Sequence, residues 1–231
     1  MRVNIIIIAK KIRALFLKML YPSERYFLAI RNLKPLSTKY GFDRGTPIDR
    51  YYIEKFMTSN KHYIKGMCLE VADNNYTVTF GKNKVRQSDI ISNDKKNKYA
   101  NILGDLQNLT ELISNNKYDC VIMPQTLGMI PDYNSAIKEV YRILKKGGVL
   151  LLTTAFISPF FQDNYSYWRF TPAGLELCIK KVFSNYEINS FGNVLTSQCF
   201  WVGMAQEELT KAELTFNDPR YPLIVAVKAV K

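Results

Sequence analysis

The chain has 231 residues, 47% of them hydrophobic, which suits one sizeable core with an appendage. Its formal charge of +12 is unevenly placed: residues 1–50 hold eleven Lys/Arg against three Asp/Glu, a net of +8 that leaves +4 for the rest. A single histidine, His62, excludes sites needing two imidazole ligands and argues against Ser-His-Asp hydrolysis. Four scattered cysteines without a CxxC pair exclude a disulfide frame or zinc ribbon and read as small buried hydrophobes in a reducing compartment.

In residues 5–20, Ile5, Ile8, Ile12, Leu15, Phe16 and Met19 recur at helical spacing opposite Lys10, Lys11, Arg13 and Lys18, a basic amphipathic helix. Charges interrupt it before a spanning length, and its apolar run is too short for a signal peptide. Such a helix suits either peripheral contact with an anionic membrane surface, or packing on its own domain or on a second copy in a homodimer. The expected location is the cytoplasm or the inner face of the membrane. Residues 21–50 are aromatic and punctuated by proline, and 51–57 read as a short helix. Residues 1–57 are therefore expected to form an arm and cap, with the core domain at 58–231.

The core alternates. Strands are expected at 67–72, 85–90, 100–104, 118–124 and 149–154, with helices at 106–113 and 135–144 and no clear pattern over 76–80. Alternating strands and helices imply a parallel sheet built from crossovers. An aromatic loop at 156–170 precedes a helix at 172–182, whose start is marked by Thr171 as N-cap and Pro172 at the first helical position. A final hairpin of 186–191 and 223–230 completes the sheet.

In an open parallel sheet, ligands sit beyond the carboxyl ends of the strands at the switch point, so polar residues there carry the chemistry. Glu70 closes the first expected strand, Asp89 the second nineteen residues later, and Asp105 follows the third in Gly104-Asp105-Leu106. A carboxylate about twenty residues after the first turn suits a ribose diol. The fourth strand runs into Gln125-Thr126-Leu127-Gly128, and Gly147-Gly148 feed the fifth.

These segments resemble, in order and spacing, the motif series of class I S-adenosylmethionine (SAM) methyltransferases. More narrowly, residues 45–56, 69–77, 88–89, 125–127, 167–171 and 192–194 resemble a bacterial subgroup associated with surface-glycan biosynthesis, whose domains occur alone or beside glycosyltransferases. The resemblance implies a Rossmann-like α/β fold with a mostly parallel seven-stranded sheet and helices on both faces. It also implies a SAM pocket in which Glu70 orients the amino-acid end, Asp89 the ribose and Asp105 the adenine amino group beside the Leu106 amide, with Gln125 near the sulfonium. The turn after the first strand departs from the glycine-rich pattern: it reads Ala72-Asp73-Asn74-Asn75, and the subgroup has glycine where Ala72 stands. Asn and Asp tolerate left-handed angles, but Cβ atoms there crowd the methionine moiety.

On the acceptor side, residues 160–170 are dense in aromatic rings suited to sugar faces, and Arg169 has the fork to hold an anion. Asp163 is the preferred general base, with Asp132 and Tyr165 behind it. The bland reading is that Trp168 and Phe170 anchor the loop and Arg169 pairs internally. Arg44 and Arg50 extend the positive field toward a glycan or lipid-linked glycan acceptor. The expectation is a SAM-dependent O-methyltransferase acting on such an acceptor, with a glycosyltransferase as partner and no metal. The alternative is a methyltransferase-like module that has lost turnover and serves as a scaffold. A nucleic-acid methyltransferase lacks its base-methylation motif here, and a nicotinamide dehydrogenase lacks its Gly-x-Gly-x-x-Gly turn.

Overall fold

In the computed structural model, which describes residues 33–160 and 166–231, the apolar runs become seven strands. These are β1 (Gly66–Val71), β2 (Val85–Ser92), β3 (Ile102–Leu103), β4 (Tyr118–Pro124), β5 (Leu144–Ala155), β6 (Asn185–Phe191) and β7 (Ile224–Val230). They form one sheet in the order β3-β2-β1-β4-β5-β7-β6. The first five are mutually parallel, with Leu69 level with Asp89 and Val121, whereas β7 runs antiparallel to both β5 and β6. β4 and most of β5 are apolar on successive residues because both faces of the central sheet are covered. This is the Rossmann-like methyltransferase fold.

Five helices do the covering: α1 (Ile48–Asn60), α2 (Tyr133–Ile143), α3 (Pro172–Ile179), α4 (Val194–Trp201) and α5 (Lys211–Thr215). One face of the sheet, presenting Leu69, Val121 and Leu150, packs on Ile137 and Val140 of α2 and Leu175 and Ile179 of α3. The other, presenting Cys68, Ile122 and Leu151, packs on Ile53 and Met57 of α1, Phe200 of α4 and Leu214 of α5. All four cysteines are buried and free, as expected. Thr171 caps α3 through the Gly174 amide, with Pro172 at its start, also as expected.

Four expectations need correcting. The unit that carries the sheet begins at Ser37, not at residue 58, because α1 buries Ile48, Tyr52, Ile53, Phe56 and Met57 against it. At about 1.5–3 kcal/mol per large apolar side chain, that stripe makes α1 part of the core. Residues 106–113 form turns instead of a helix: Leu106, Leu109 and Ile113 are buried at helix-like spacing, but the Asn108 amide closes on the Asp105 carbonyl and Asp105 accepts from the Gln107 amide. The pattern counts burial and is blind to that competing turn. α4 and α5 were not expected; their signals are capping boxes, Asn193 with Thr196 and Thr210 with Glu213. Asp89 lies inside β2, which continues to Ser92.

The first crossover, 72–84, contains only a π turn (Thr77–Gly81) and a 3-10 turn (Lys82–Lys84), and the second, 93–101, contains no helix. Parallel crossovers usually need a helix to span the sheet face. Here asparagine side chains stand in for it. Asn101 pairs with Ile90 through its own amide and through its side-chain oxygen, and Asn97 donates from Nδ2 to the Ala72 carbonyl at 2.6 Å. The arm expected at 5–20 lies outside the described residues. Among the described residues no helix is long and apolar enough to cross a membrane.

Candidate cofactor and acceptor site

Strand order reverses between β1 and β4, and both strands end in strained backbone: Ala72, after β1, has φ +74°, and Gln125, after β4, has φ +52°. A left-handed residue with a Cβ costs roughly 1–2 kcal/mol and persists where its surroundings dictate it, most often at functional sites. The Ala72 amide donates to the Ile91 carbonyl and the Gln125 amide to the Thr153 carbonyl, so neighbouring strands fix both. Ala72 therefore takes a glycine's conformation and leaves its methyl exposed.

Glu70 is fully buried beneath this turn. Its carboxylate accepts from the Tyr76 amide (3.1 Å), the Thr77 amide (2.7 Å) and the Thr77 hydroxyl (2.6 Å). Burial raises its pKa and those three donors lower it, leaving it at about 7. Glu70 thus holds the loop that faces the site. Asp73, beside Ala72, takes the Asn75 amide in a local turn.

Asp89 is a correction of substance. It accepts from Gln87 Nε2 (2.9 Å), Asn101 Nδ2 (2.9 Å), Lys117 Nζ (3.0 Å) and the Tyr118 hydroxyl (2.7 Å). Burial pushes its pKa up, but the hydrogen bonds outweigh burial and bring it to about 2. In mid-strand and level with Leu69 and Val121, it ties sheet to loop away from the ligand edge. The acid nearest the end of β2 is Asp94, exposed in the turn Ser92-Asn93-Asp94. Sequence spacing missed it because β2 is longer than its apolar run suggests.

Asp105 is exposed at the end of β3, bonded to Gln107 on both oxygens, and Leu106 beside it is buried. The edge formed by β1, β2 and β3 therefore offers an open turn and two exposed carboxylates, acceptors that fit the hydroxyl and amino donors of a nucleoside bearing an amino-acid tail.

Next to that edge, at the ends of β4 and β5, lies a cavity of about 220 Å³. Tyr40, Phe42, Trp168 and Phe200 line it with rings, and Asp49, Arg50, Gln125 and Arg169 with polar groups. Of the α1 residues, Arg50 was singled out only as part of the positive field and Asp49 not at all; their signal was a polar pair at the head of an otherwise apolar helical stripe. Gln125 Nε2 lies 3.3 Å from Asp49 Oδ2, and Arg50 Nη1 donates to the Tyr76 hydroxyl at 3.1 Å. Asp49 Oδ1 and Gln125 Oε1 are buried with no partner among the described residues.

The far wall is the loop after β5. Gly128 lets it dock: a Cβ there would meet the Trp168 carbonyl oxygen at 2.8 Å, and the Gly128 carbonyl takes both the Tyr167 and Trp168 amides. Trp168 Nε1 donates to the Ile130 and Pro131 carbonyls. Arg169 donates to the carbonyls of Ser158, Pro159 and Trp168 and to the Ser166 hydroxyl. Its terminal nitrogens are engaged inside the loop by carbonyls and a hydroxyl, with no acid among their partners, whereas its Nε is buried with no partner among the described residues. Arg44 likewise is paired with Glu208. Asp132 caps α2 through the Ser135 amide and hydroxyl and is not among the residues lining the cavity. Asp163 and Tyr165 lie outside the described residues. Among those described, no cluster of His, Cys, Asp or Glu is arranged to hold a metal.

Residues 67–152 match the family model of a methyltransferase domain. Two strains of Staphylococcus epidermidis have a demethylmenaquinone methyltransferase that is 41% identical over 70 residues, 29% of this chain. The match spans 28% of the length of those relatives. Among solved structures, a SAM-dependent methyltransferase of Thermotoga maritima aligns at TM-score 0.54 and 16% identity, covering 80% of this chain and 91% of that one. The [4+2]-cyclase SpnF aligns at TM-score 0.55 and 14% identity, covering 81% of this chain and 84% of that one. The chain therefore has the Rossmann-like methyltransferase fold, and its residues 67–152 match a methyltransferase domain, the kind of domain that takes SAM as cofactor. The cyclase is a reminder that the fold hosts more than one chemistry, so the reaction must be argued from the site.

Proposed function

We propose that the chain is a SAM-dependent O-methyltransferase whose acceptor is a sugar or phosphate oxygen on a bacterial surface glycan or its lipid-linked precursor. The observation that carries this reading is the ring-lined cavity at the ends of β4 and β5, directly beside the cofactor edge of a matched methyltransferase domain. Aromatic faces suit the C–H faces of a sugar ring. SAM supplies an electrophilic methyl group on a sulfonium. Asp94 and Asp105 are the residues to hold its ribose and adenine ends, Arg50 its carboxylate, and Gln125 the reacting end. Alignment of the two reactants is most of what the protein must supply. The positive charge of residues 1–50 draws an anionic, membrane-borne acceptor toward the inner membrane face, where a glycosyltransferase partner also belongs.

The test is calorimetric titration with SAM and S-adenosylhomocysteine. Micromolar binding is expected, weakened at least about tenfold in Asp105→Ala, which removes a charged acceptor. Ala72→Gly is expected to bind at least as tightly as the parent and to gain up to ~1 kcal/mol of stability from the relieved left-handed strain. A folded protein that binds neither ligand is the non-catalytic module instead.

A further inference from the structure

The acceptor cavity contains a carboxylate oxygen that nothing in the described fold satisfies. Asp49 is 7% exposed, and Oδ1 has no donor, while Oδ2 is held by Gln125 Nε2 at 3.3 Å. Gln125 is itself fixed in a left-handed conformation at the end of β4. An unpaired acceptor in a desolvated wall is destabilising by about 1–3 kcal/mol, so its persistence calls for a donor that arrives with a ligand. Around it stand Thr154 and Ala155 of β5, Trp168 and Arg169 of the aromatic loop and Phe200 of α4, the side of the cavity turned away from the β1–β3 edge, where a methyl acceptor would sit; the competing donor, the amino group of SAM, is separated from it by S-adenosylhomocysteine affinity in the test below.

We propose that Asp49 is the general base of the transfer, its Oδ1 accepting the proton of an acceptor hydroxyl seated in the cavity while Gln125 fixes its other oxygen. This rests on the methyltransferase reading above. The acceptor's O–H bond breaks as its oxygen bonds the methyl carbon, and the proton goes to Asp49 Oδ1. The electron pair of the broken C–S bond stays on sulfur, which leaves as a neutral thioether, and Asp49 afterwards returns its proton to water.

The groups facing Asp49 are Arg50 on its own helix, Gln125 from β4, Arg169 from the loop after β5 and Tyr40 from the segment before α1, with Tyr76 and Asp73 reaching it through Arg50. Burial raises the carboxyl's pKa, and the Arg50 charge, Gln125 and the nearby Arg50 and Asp49 backbone amides only partly offset this. A raised pKa makes the carboxylate a stronger base and moves its titration toward neutrality.

The experiment uses the full chain with radiolabelled SAM and a panel of alkyl hexopyranosides as acceptor probes, comparing the parent with Asp49→Asn and Asp49→Glu. Asp49→Asn is expected to keep S-adenosylhomocysteine affinity within about twofold and to lose about 10²–10⁴-fold in kcat. The acidic limb of the parent's kcat–pH profile should vanish in that variant, and Asp49→Glu should restore part of the rate together with the limb. Undiminished kcat in Asp49→Asn, an unchanged pH profile, or no transfer to any probe by a parent that binds S-adenosylhomocysteine overturns the assignment. Absence of S-adenosylhomocysteine binding by the parent instead overturns the underlying reading.

Discussion

Glu70 and Asp89 have opposite acid-base characters although both are buried on adjacent strands. Asp89 has four donors, one of them cationic, and is held well below the ordinary range, whereas Glu70 meets three neutral donors and ends near pH 7. The linkage signs differ accordingly. Against an unfolded value of about 4.3, the raised pKa of Glu70 gives stability that is full below that value and lost as pH rises toward 7. Glu70→Gln abolishes that dependence, so the gap in Tm between parent and variant should widen as pH falls from 8 to 5. Thermal melts across that range check it; a gap that widens in the other direction would mean that the ionised form is the one the fold prefers. That Glu70 lies at a strand end was legible from its spacing; that it holds the following turn through Tyr76 and Thr77 was not. Which acids stay free for a ligand was not, because it depends on Asn101, Lys117 and Tyr118, which reach Asp89 from distant positions in the chain.

Among the elements, strands were easiest to read. β4 and the antiparallel pair β6 and β7 are continuous or alternating apolar runs whose period survives any tertiary context, although α4 and α5 intervene where a hairpin turn was expected. The turn at 106–113 and the helices α4 and α5 were harder: in the first, burial imitates a helix, and in the others, short amphipathic segments are defined by caps more than by periodicity. The loop after β5 shows the same limit for the site. Its rings and Arg169 were visible as a cluster, but not that backbone carbonyls occupy the guanidinium. Arg169→Lys cannot reproduce that fork and is expected to lower stability by about 1–2 kcal/mol in urea unfolding, while S-adenosylhomocysteine affinity stays within about twofold. Unchanged stability with a selective loss of acceptor binding would restore the anion-holding role.

At the scale of the molecule, charge and fold separate. The excess positive charge sits in residues 1–50, while every strand pairing and both hydrophobic clusters lie within the unit that starts at Ser37. Residues 37–47 are part of it, since the Ser37 amide donates to the Val202 carbonyl and Arg44 pairs with Glu208. A chain beginning at Ser37 is therefore expected to unfold in one cooperative transition, within a few degrees of the full chain, with its far-ultraviolet spectrum showing the same sheet. A chain beginning at Lys61 lacks α1, whose Ile48, Tyr52, Ile53, Phe56 and Met57 fill one face of the sheet, and loses about 1.5–3 kcal/mol for each large side chain removed. That total is as large as the net stability of a typical domain, about 5–15 kcal/mol, so the shorter chain should not fold. Circular-dichroism melts of the two fragments decide it: a folded product from Lys61 would show that α1 is an accessory to the sheet, and with it that Asp49 reaches the cavity from a dispensable element.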